Sequence, residues 1–429
     1  MDMQPEKLSK FYSMNLPYKT ISVIGLGYIG LPTAAVLASR GVKVIGVDVS
    51  ERVVSTINTG NVHIVEPELD VLVRRIVSEG AFRAVTRPEP ADAFLIAVPT
   101  PFLDGHKPDI SYVEASVRHI APVLRRGNLV ILESTSPVGT TEKISHWLAE
   151  SRPDLSFPHR TGDAADIRIA HCPERVLPGH VLRELVENDR IIGGLSPLCS
   201  EQAVELYRIF VEGNCLTTDA RTAEMAKLTE NAFRDVNIAF ANELSLICER
   251  LGINVWKLIE LANHHPRVNI LQPGPGVGGH CIAVDPWFIV DSAPDLAHLI
   301  RSARLVNDGK PRWVIDQVAQ AASKIANPKI ACLGLAFKPD IDDLRESPSL
   351  EITAHLAHEL EATIYAVEPY VDCLPKSLET YDNVEFRDAM SAVQDADIVV
   401  LLVNHQHFLE IDRALLKGKA VIDTRGFWR

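Results

Sequence analysis

The order of apolar segments constrains this sequence more than any other feature. From about residue 20 to about residue 217, short β-branched runs such as TISVIGLG, VKVIGVD and ADAFLIAVPT alternate with helix-like sequence. Such alternation predicts a parallel, doubly wound sheet. The strands then stop, and they return near residue 329 with KIACLGLAF, TIYAVEP and ADIVVLLVN. We therefore predict an α/β fold in which two Rossmann-like doubly wound parallel-sheet domains are joined by a helical middle domain.

One long helix dominates the predicted middle domain. The stretch TDARTAEMAKLTENAFRDVNIAFANELSLICERLG has no internal Gly or Pro, and Gly252 is placed to end the helix. The predicted organisation is an N-terminal tail (1–19), a first Rossmann-like domain (20–217), the helical middle domain (218–312) and a C-terminal α/β domain (313–429).

Charge and cysteine content exclude several classes of function. The net charge is −13 and the basic residues do not cluster, which disfavours nucleic acid and anionic membranes as partners. The seven cysteines are scattered without a CxxC pair, so we predict neither a disulfide framework nor a metal site. The first nineteen residues lack the apolar stretch of a signal peptide, and no apolar run is long enough to span a bilayer. A cytoplasmic protein without membrane insertion is expected.

The segment VIGLGYIG carries a dinucleotide fingerprint between a strand and a helix. Gly25 permits the tight turn, Gly27 lets a pyrophosphate approach the backbone, and Gly30 lets helix and strand pack closely. Asp48, at the end of the next strand, is placed to bond ribose hydroxyls and to disfavour a 2′-phosphate, which predicts NAD. The simpler alternative is a packing turn followed by a surface aspartate. The predicted cofactor residues here are Gly25, Gly27, Tyr28, Ile29, Gly30 and Asp48.

Two threonines follow later strands of the same predicted sheet. Thr100 lies in AVPTP and Thr135 in ESTSPVG. Ligands bind at the carboxyl ends of strands in open parallel sheets, so we predict that both threonines face the cofactor. Taken singly, each is also compatible with an N-cap or turn role.

Cys281 ends a glycine-rich loop, GVGGHCIAVDP. A thiolate with space around it is a nucleophile, and it permits an aldehyde to be oxidised further through a thiohemiacetal and a thioester. The alternative is a small core residue. The glycines before Cys281 favour the reactive thiol.

The long helix presents Lys227, Asn231 and Arg234 at i, i+4 and i+7, on one face. Lys227 is placed to stabilise an oxyanion or to hold a water molecule, although a solvated polar face has the same pattern. Glu174, in HCPERVLPGH, is a candidate to activate water, and its alternative is a surface ion pair with Arg175.

The last α/β segment carries cations near predicted strand ends. Lys338 and Arg345 lie in GLAFKPDIDDLRESPS, and Arg425 lies in DTRGFWR. Such cations suit a phosphate-bearing ligand, and surface cations are the alternative.

Together these motifs resemble the UDP-glucose/GDP-mannose dehydrogenase family. The resemblance covers residues 20–429 in the family's order. The segment GGHCIAVDP is similar to the corresponding segment in the branch of the family that oxidises UDP-N-acetylhexosamines. The segments that carry the resemblance are VIGLGYIGLP, ESTSPVGTTE, CPERVLPG, MAKLTENAFRDVNIAFANEL, GPGVGGHCIAVDPWF and GLAFKPDIDDLRESPS.

The resemblance implies roles that the residues alone do not establish. Cys281 is the implied nucleophile, and Lys227 is the implied catalytic lysine with Asn231 beside it on the substrate. Asp285 would assist Lys227 and a water molecule, and Glu174 would serve as acid/base. The implied catalytic set is Cys281, Lys227, Asp285, Glu174, Asn231 and Thr135.

The resemblance also implies a nucleotide-sugar site and an assembly. The C-terminal domain would bind the UDP-sugar, and Arg345 would reach the cofactor. Family members pair through the long middle helix, with Arg267 reaching across, which implies a homodimer or a higher assembly. The implied substrate residues are Arg175, Val176, Lys227, Asn231, Arg234, His265, Arg267, Gly278, Lys338 and Arg425.

The implied reaction is an NAD-dependent four-electron oxidation of the C6 alcohol of UDP-N-acetyl-D-mannosamine to the uronate. The same chemistry on UDP-N-acetylglucosamine or UDP-glucose is the alternative. Other classes are a two-electron hydroxyacid dehydrogenase, which needs no Cys281, and a non-catalytic NAD-binding redox sensor with Cys281 as its thiol. An epimerase or dehydratase is disfavoured because no tyrosine has a lysine four positions later.

Overall fold

A computed structural model describes residues 17–177, 179–279 and 281–428. Its backbone divides into two compact units, one ending at Thr229 and one beginning at Glu230. Residues 1–16 of the predicted tail lie outside the described residues. No helix within the described ranges combines the length and apolar character that a membrane span requires.

The strands of the first unit are short and mostly buried, as expected for the centre of a parallel sheet. They are β1 (Thr20–Ile24), β2 (Lys43–Val47), β3 (Phe82–Val85), β4 (Ala93–Ile96), β5 (Phe102–Leu103), β6 (Lys107–Pro108), β7 (Leu129–Leu132), β8 (Arg168–His171), β9 (Arg190–Gly194) and β10 (Cys215–Asp219).

Helices connect these strands on both faces. They are α1 (Gly30–Ser39), α2 (Glu51–Asn58), α3 (Leu69–Ser78), α4 (Ser111–Ile120), α5 (Thr140–Ser151), α6 (Pro158–Thr161), α7 (Val181–Glu187) and α8 (Pro197–Tyr207). Short 3₁₀ turns lie at Asp104–His106, Ala121–Val123 and Gly162–Ala164.

The first unit contains an eight-stranded sheet in the order β10-β9-β8-β7-β4-β1-β2-β3, and β5 and β6 form a separate hairpin. The predicted doubly wound sheet is confirmed, with one difference. β9 pairs with β8 in antiparallel fashion, whereas the other neighbours in this sheet are parallel. The chain returns from β8 through the short helix α7 at the same edge of the sheet, so β9 begins where β8 ends.

The predicted long helix is α9 (Ala220–Leu251), and the division between the two units falls within it. Gly252 ends α9 with a φ of 68°. Its N–H donates to the Glu249 carbonyl, and the Ile253 N–H donates to the Cys248 carbonyl. These two bonds form a Schellman motif, so the expectation that Gly252 ends the helix is confirmed.

The second unit contains the rest of α9, further helices and a five-stranded parallel sheet. The helices are α10 (Val255–Ala262), α11 (Asp285–Ser292), α12 (His298–Ala322), α13 (Pro348–Glu359) and α14 (Ala389–Asp395), with 3₁₀ turns at Gln406–Glu410 and Arg413–Leu416. The strands are β11 (Lys329–Leu333), β12 (Thr363–Val367), β13 (Val384–Phe386), β14 (Ile398–Leu401) and β15 (Ala420–Asp423), in the order β13-β12-β11-β14-β15.

Candidate active site

The turn after β1 requires glycine at two of its three glycine positions. A Cβ on Gly25, whose φ is 90°, would lie 2.5 Å from the Ala97 carbonyl oxygen. A Cβ on Gly30 would lie 1.8 Å from the Gly25 carbonyl oxygen. Around Gly27, by contrast, no described atom lies within 4 Å of the place of a Cβ. The turn is therefore closed on its protein side and open where a pyrophosphate would meet the N-terminus of α1.

Asp48 is fixed beside this turn. Its Oδ2 accepts the Leu26 N–H at 3.1 Å, and its Oδ1 accepts the Ser50 N–H at 2.9 Å. Asp48 is half-buried. In the turn, Tyr28 is exposed and Ile29 is half-buried. A carboxylate that is oriented by two backbone amides and remains accessible suits a ribose diol, so these residues fit NAD.

The two predicted threonines are brought together by neighbouring strands. Thr100 follows β4 and Thr135 follows β7, and the Thr100 hydroxyl donates to the Thr135 carbonyl at 2.6 Å. Both lie at the carboxyl edge of the sheet, the edge at which the glycine turn also lies.

Glu174 is buried rather than part of a surface ion pair. Its Oε1 accepts the Arg175 N–H at 2.7 Å, and its Oε2 accepts from Arg190 Nη1 at 2.6 Å. The Arg175 guanidinium instead donates to the Asp189 carbonyl at 3.2 Å. Val176 packs against the core of the unit. Sequence reasoning did not find Arg190, because nothing in its neighbourhood marks it as the partner of Glu174.

Lys227 is half-buried on α9, and a buried acid one turn earlier fixes this part of the helix. The Glu224 carboxylate accepts from the N–H of Gly139 at 2.6 Å and from the N–H and hydroxyl of Thr141 at 2.7 and 2.6 Å. These bonds tie α9 to the first turn of α5. Sequence reasoning missed Glu224, although an acid on an inward-facing helix position was an available signal.

His171 ends β8 and is fully buried. Neither ring nitrogen has a hydrogen-bond partner among the described residues. Burial lowers the pKa of His171 to about 3, and the charge of Lys227 acts in the same direction. The imidazole is therefore neutral at physiological pH.

Cys281 is exposed in the second unit, whereas Cys248 and Cys332 of that unit are buried. The Cys281 carbonyl accepts the Asp285 N–H at 2.9 Å, which places Asp285 one turn later at the start of α11. Asp285 is itself buried, and its Oδ2 accepts from Asn231 Nδ2 at 2.5 Å. Three residues of the predicted catalytic set are thus joined within one unit.

The glycine loop before Cys281 is anchored by asparagine side chains. Asn263 donates to the Ile270 carbonyl at 3.0 Å and accepts the Ile270 N–H at 2.7 Å. The Gly274 N–H donates to Asn242 Oδ1 at 2.9 Å, and Asn242 Nδ2 donates to Asn307 Oδ1 at 2.8 Å. The loop lacks regular structure, but Asn242 of α9 and Asn263 at the end of α10 hold its backbone, and Asn307 of α12 holds Asn242.

The same loop passes close to Arg425, a predicted substrate residue, and to Arg345, a predicted cofactor residue. A Cβ on Gly274 would lie 2.4 Å from Arg425 Nη1, and a Cβ on Gly278 would lie 2.4 Å from the Glu346 carbonyl oxygen. The Gly279 N–H donates to the Arg345 carbonyl at 3.3 Å. Burial lowers the pKa of Arg425 to about 10, so its guanidinium stays charged at neutral pH.

The remaining predicted residues have less enclosed positions. Lys338 is half-buried, and the Arg345 guanidinium pairs with Asp343 at 2.6 Å. The exposed residues of the predicted substrate set in the second unit are Arg234, His265 and Arg267.

Comparison with known proteins defines the class. Residues 19–211 match the NAD binding domain of the UDP-glucose/GDP-mannose dehydrogenase family, residues 221–309 its central domain and residues 331–429 its UDP binding domain. The chain therefore belongs to this family, whose members are NAD-dependent nucleotide-sugar dehydrogenases.

Individual relatives are similar over nearly their whole length. An NDP-N-acetyl-D-galactosaminuronic acid dehydrogenase of Ralstonia nicotianae is 65% identical, over 97% of this chain and 98% of the relative. A UDP-N-acetyl-D-mannosamine dehydrogenase of Yersinia pestis is 61% identical, over 96% and 100%. The solved structure of a UDP-D-ManNAc dehydrogenase from Pyrococcus horikoshii is 40% identical, covers 96% of each chain and has a TM-score of 0.84.

Proposed function

We propose that this enzyme oxidises the C6 alcohol of UDP-N-acetyl-D-mannosamine to the carboxylate. The observation that carries the proposal is the exposed Cys281, with buried Asp285 one turn later and hydrogen-bonded to Asn231. A simple alcohol dehydrogenase needs no thiol, whereas oxidation beyond the aldehyde benefits from one. One alcohol, two NAD⁺ and one water give the carboxylate, two NADH and three protons.

The residues divide this chemistry among them. The turn at Gly25 and Gly27 and the Asp48 carboxylate would hold NAD⁺, which when bound would supply a hydride acceptor for each of the two oxidations. Between them, the Cys281 thiolate adds to the C6 aldehyde, forming a carbon–sulfur bond and a thiohemiacetal. Loss of the second hydride and of the hydroxyl proton leaves a thioester. Water, activated by Glu174, attacks this thioester, and the thiolate leaves. Lys227 stabilises the oxyanion, with Asn231 beside it on the substrate, and Asp285 assists the lysine and a water molecule.

The sugar is the finer part of the proposal. The names of the Yersinia and Pyrococcus relatives support N-acetylmannosamine. The Ralstonia relative's name supports N-acetylgalactosamine as a second candidate. UDP-N-acetylglucosamine and UDP-glucose are further alternatives. All four sugars present the same primary alcohol at C6, so the roles of the residues do not depend on the choice.

The same proposal includes three further predictions: a division into domains at 20–217, 218–312 and 313–429, a cytoplasmic location and a homodimer.

Three apolar side chains spaced seven residues apart on α9 support the homodimer, because they form one stripe along the helix. Phe233, Phe240 and Ile247 are 68%, 52% and 44% exposed. We expect a dimer by light scattering and a shift toward monomer in Phe240→Glu. A monomeric wild-type chain at assay concentration would contradict the pairing.

The test of the reaction counts NADH per sugar consumed, with UDP-linked N-acetylmannosamine, N-acetylgalactosamine, N-acetylglucosamine and glucose in parallel. Two NADH per sugar are expected, with N-acetylmannosamine preferred. Cys281→Ser should stop acid formation while leaving NAD binding intact. Cys373→Ser is the matched control, since Cys373 is also exposed in the second unit. One NADH per sugar, or normal acid formation by Cys281→Ser, would show that the thioester route is wrong.

A further inference from the structure

Glu174 is part of a buried cluster of ionisable groups in the first unit. Glu133 follows β7, Cys172 and Glu174 follow β8, Arg190 begins β9 and Tyr207 ends α8. All five are buried, and Arg190 is only 2% exposed. The antiparallel start of β9 brings a guanidinium to the edge at which the parallel strands present their ligand-binding loops.

Arg190 holds Glu174 from this edge. Its Nη1 donates to Glu174 Oε2 at 2.6 Å, and its Nη2 donates to the Leu185 carbonyl at 3.1 Å. The guanidinium carbon lies 5.4 Å from the ring centre of Tyr207. A buried charged pair of this kind fixes geometry strongly, because separating the partners leaves each ion unpaired in an apolar environment.

The second acid of the cluster has fewer donors than Glu174. Glu133 Oε1 accepts the Tyr207 hydroxyl at 2.7 Å, and its Oε2 has no partner among the described residues. Both oxygens of Glu174, in contrast, accept bonds, and one donor is a cation. Burial, together with the negative charge of Glu174, raises the pKa of Glu133 to about 7. The proton of the two-acid cluster therefore belongs on Glu133.

We propose that Arg190 is a positioning residue for Glu174, and that a protonated Glu133, held by Tyr207, does not compete with the Glu174 carboxylate for the guanidinium. The inference rests on the proposed function, because Glu174 is the acid/base of that reaction. When Glu133 ionises, a second carboxylate competes for Arg190 and the hold on Glu174 weakens. The groups that face Glu133 are Glu174 and Cys172 from the segment after β8, Arg190 from β9 and Tyr207 from α8.

The first experiment compares Glu133→Gln with the wild type in kcat from pH 6 to pH 9. Glutamine has the shape of the protonated acid and cannot ionise. We expect a loss of kcat with rising pH near 7 in the wild type and no such inflection in Glu133→Gln. Identical profiles would overturn the role of Glu133.

The second experiment replaces Arg190 by lysine, which keeps the charge but cannot donate to both partners with one planar group. We expect kcat to fall about 100-fold, at the lower end of the contribution of a general acid or base, while the KM for NAD⁺ stays unchanged. Arg152→Lys is the control, since Arg152 also binds a carboxylate and two carbonyls, but away from Glu174. An unchanged kcat, or an equal effect in Arg152→Lys, would overturn the role of Arg190.

A third measurement separates this inference from the proposed function. The infrared difference between wild type and Glu133→Gln should contain the carbonyl stretch of a protonated carboxylic acid at pH 6 and should lose it by pH 8. This band needs no turnover. Absence of the band would contradict a protonated Glu133 even if two NADH form per sugar. A stoichiometry of one NADH per sugar would contradict the proposed function even if the band is present.

Discussion

The two large sheets of this protein place an acid at the same position, after the strand next to their first strand, yet the two carboxylates have different surroundings. Asp48 follows β2, which lies next to β1, and Glu368 follows β12, which lies next to β11. Asp48 is half-buried and accepts two backbone N–H groups. Glu368 is buried, and its carboxylate accepts the N–H groups of Leu335, Ala336 and Tyr370.

A histidine completes the enclosure of Glu368. The Asp340 N–H donates to His405 Nδ1 at 2.9 Å, so the ring proton resides on Nε2. Nε2 then donates to Glu368 Oε2 at 3.1 Å. Because its acceptor sites are taken inside the protein, Glu368 is not available to a ribose.

The connections after the first strands differ in the same sense. In the first sheet, α1 begins at Gly30, six residues after β1 ends at Ile24. In the second, Gly334 provides the turn after β11, but the next helix begins only at Pro348. The intervening loop carries Lys338 and Arg345 in place of a phosphate-binding turn. In both sheets the predicted ligand-binding residues lie after the carboxyl ends of the strands, and the turn after the first strand determines which ligand fits there.

The largest expected effect is in the glycine turn of the first sheet. Gly30→Ala should raise the KM for NAD⁺ more than about 100-fold and lower the free energy of unfolding by about 1–3 kcal/mol, because the added carbon meets the Gly25 carbonyl. Gly27→Ala should lose NAD⁺ affinity without losing stability, because its methyl group enters open space that the pyrophosphate needs. Urea unfolding and NAD⁺ titration measure both. Equal destabilisation by the two variants would contradict the assignment.

The next effect compares the two acids directly. Asp48→Asn should raise the KM for NAD⁺ about 10- to 100-fold with little change in stability, because a charged acceptor is lost. Glu368→Gln should leave the KM for NAD⁺ unchanged and lower the free energy of unfolding by about 1–3 kcal/mol, because buried amide donors lose their acceptor. If Glu368→Gln weakened NAD⁺ binding as much as Asp48→Asn, this would contradict the expectation that only Asp48 contacts the coenzyme.

A smaller effect concerns the pH dependence of the first unit. Glu133 has a folded pKa of about 7, raised by burial from an ordinary value of 4.5, so its contribution to stability is full below pH 4.5 and is lost as the pH rises to 7. His171 has its pKa lowered to about 3, so its contribution is full above pH 6.5 and is lost on acidification. The two slopes oppose each other in the wild type.

Glu133→Gln isolates one of these slopes. The unfolding free energy of the wild type minus that of the variant should fall by about 1.4 kcal/mol per pH unit between pH 5 and 7 and then level off. Urea unfolding at a series of pH values measures it. A difference that is independent of pH would place the proton elsewhere.

The smallest expected effect is in the second unit. Gly274→Ala should raise the KM for the UDP-sugar only a few-fold, because the new methyl group meets the flexible end of Arg425 rather than backbone. The KM for NAD⁺ should not change. A comparable rise in both KM values would show that Gly274 acts on the fold rather than on the sugar site.

Local patterns predicted much of this molecule, because they depend on residues close in sequence. The β–α alternation, the glycine turn and the end of α9 at Gly252 are of this kind. The bonds between Glu174 and Arg190, between Gly139 and Glu224 and between Asn242 and Asn307 join distant segments. A local pattern can mark one partner, as the inward-facing position of Glu224 does, but it does not identify the other.

The glycine spacing alone does not identify a dinucleotide-binding turn. The spacing G-x-G-x-x-G occurs a second time at residues 274–279, within GPGVGG. No strand precedes it and no helix begins at its last glycine, because this stretch is irregular and anchored by Asn242. The strand before the turn and the acid after the next strand, rather than the glycine spacing, made the first fingerprint a reliable prediction.

The enclosure of Glu368 has a consequence for the timing of the reaction. Among the described residues the second sheet is closed to a dinucleotide in this way, so the proposed four-electron oxidation would use the turn after β1 twice. The reduced coenzyme would then have to leave and a second NAD⁺ bind while the half-oxidised sugar stays in place. A covalent bond to Cys281 would retain the sugar during that exchange, so the thiol would act as a tether as well as a nucleophile.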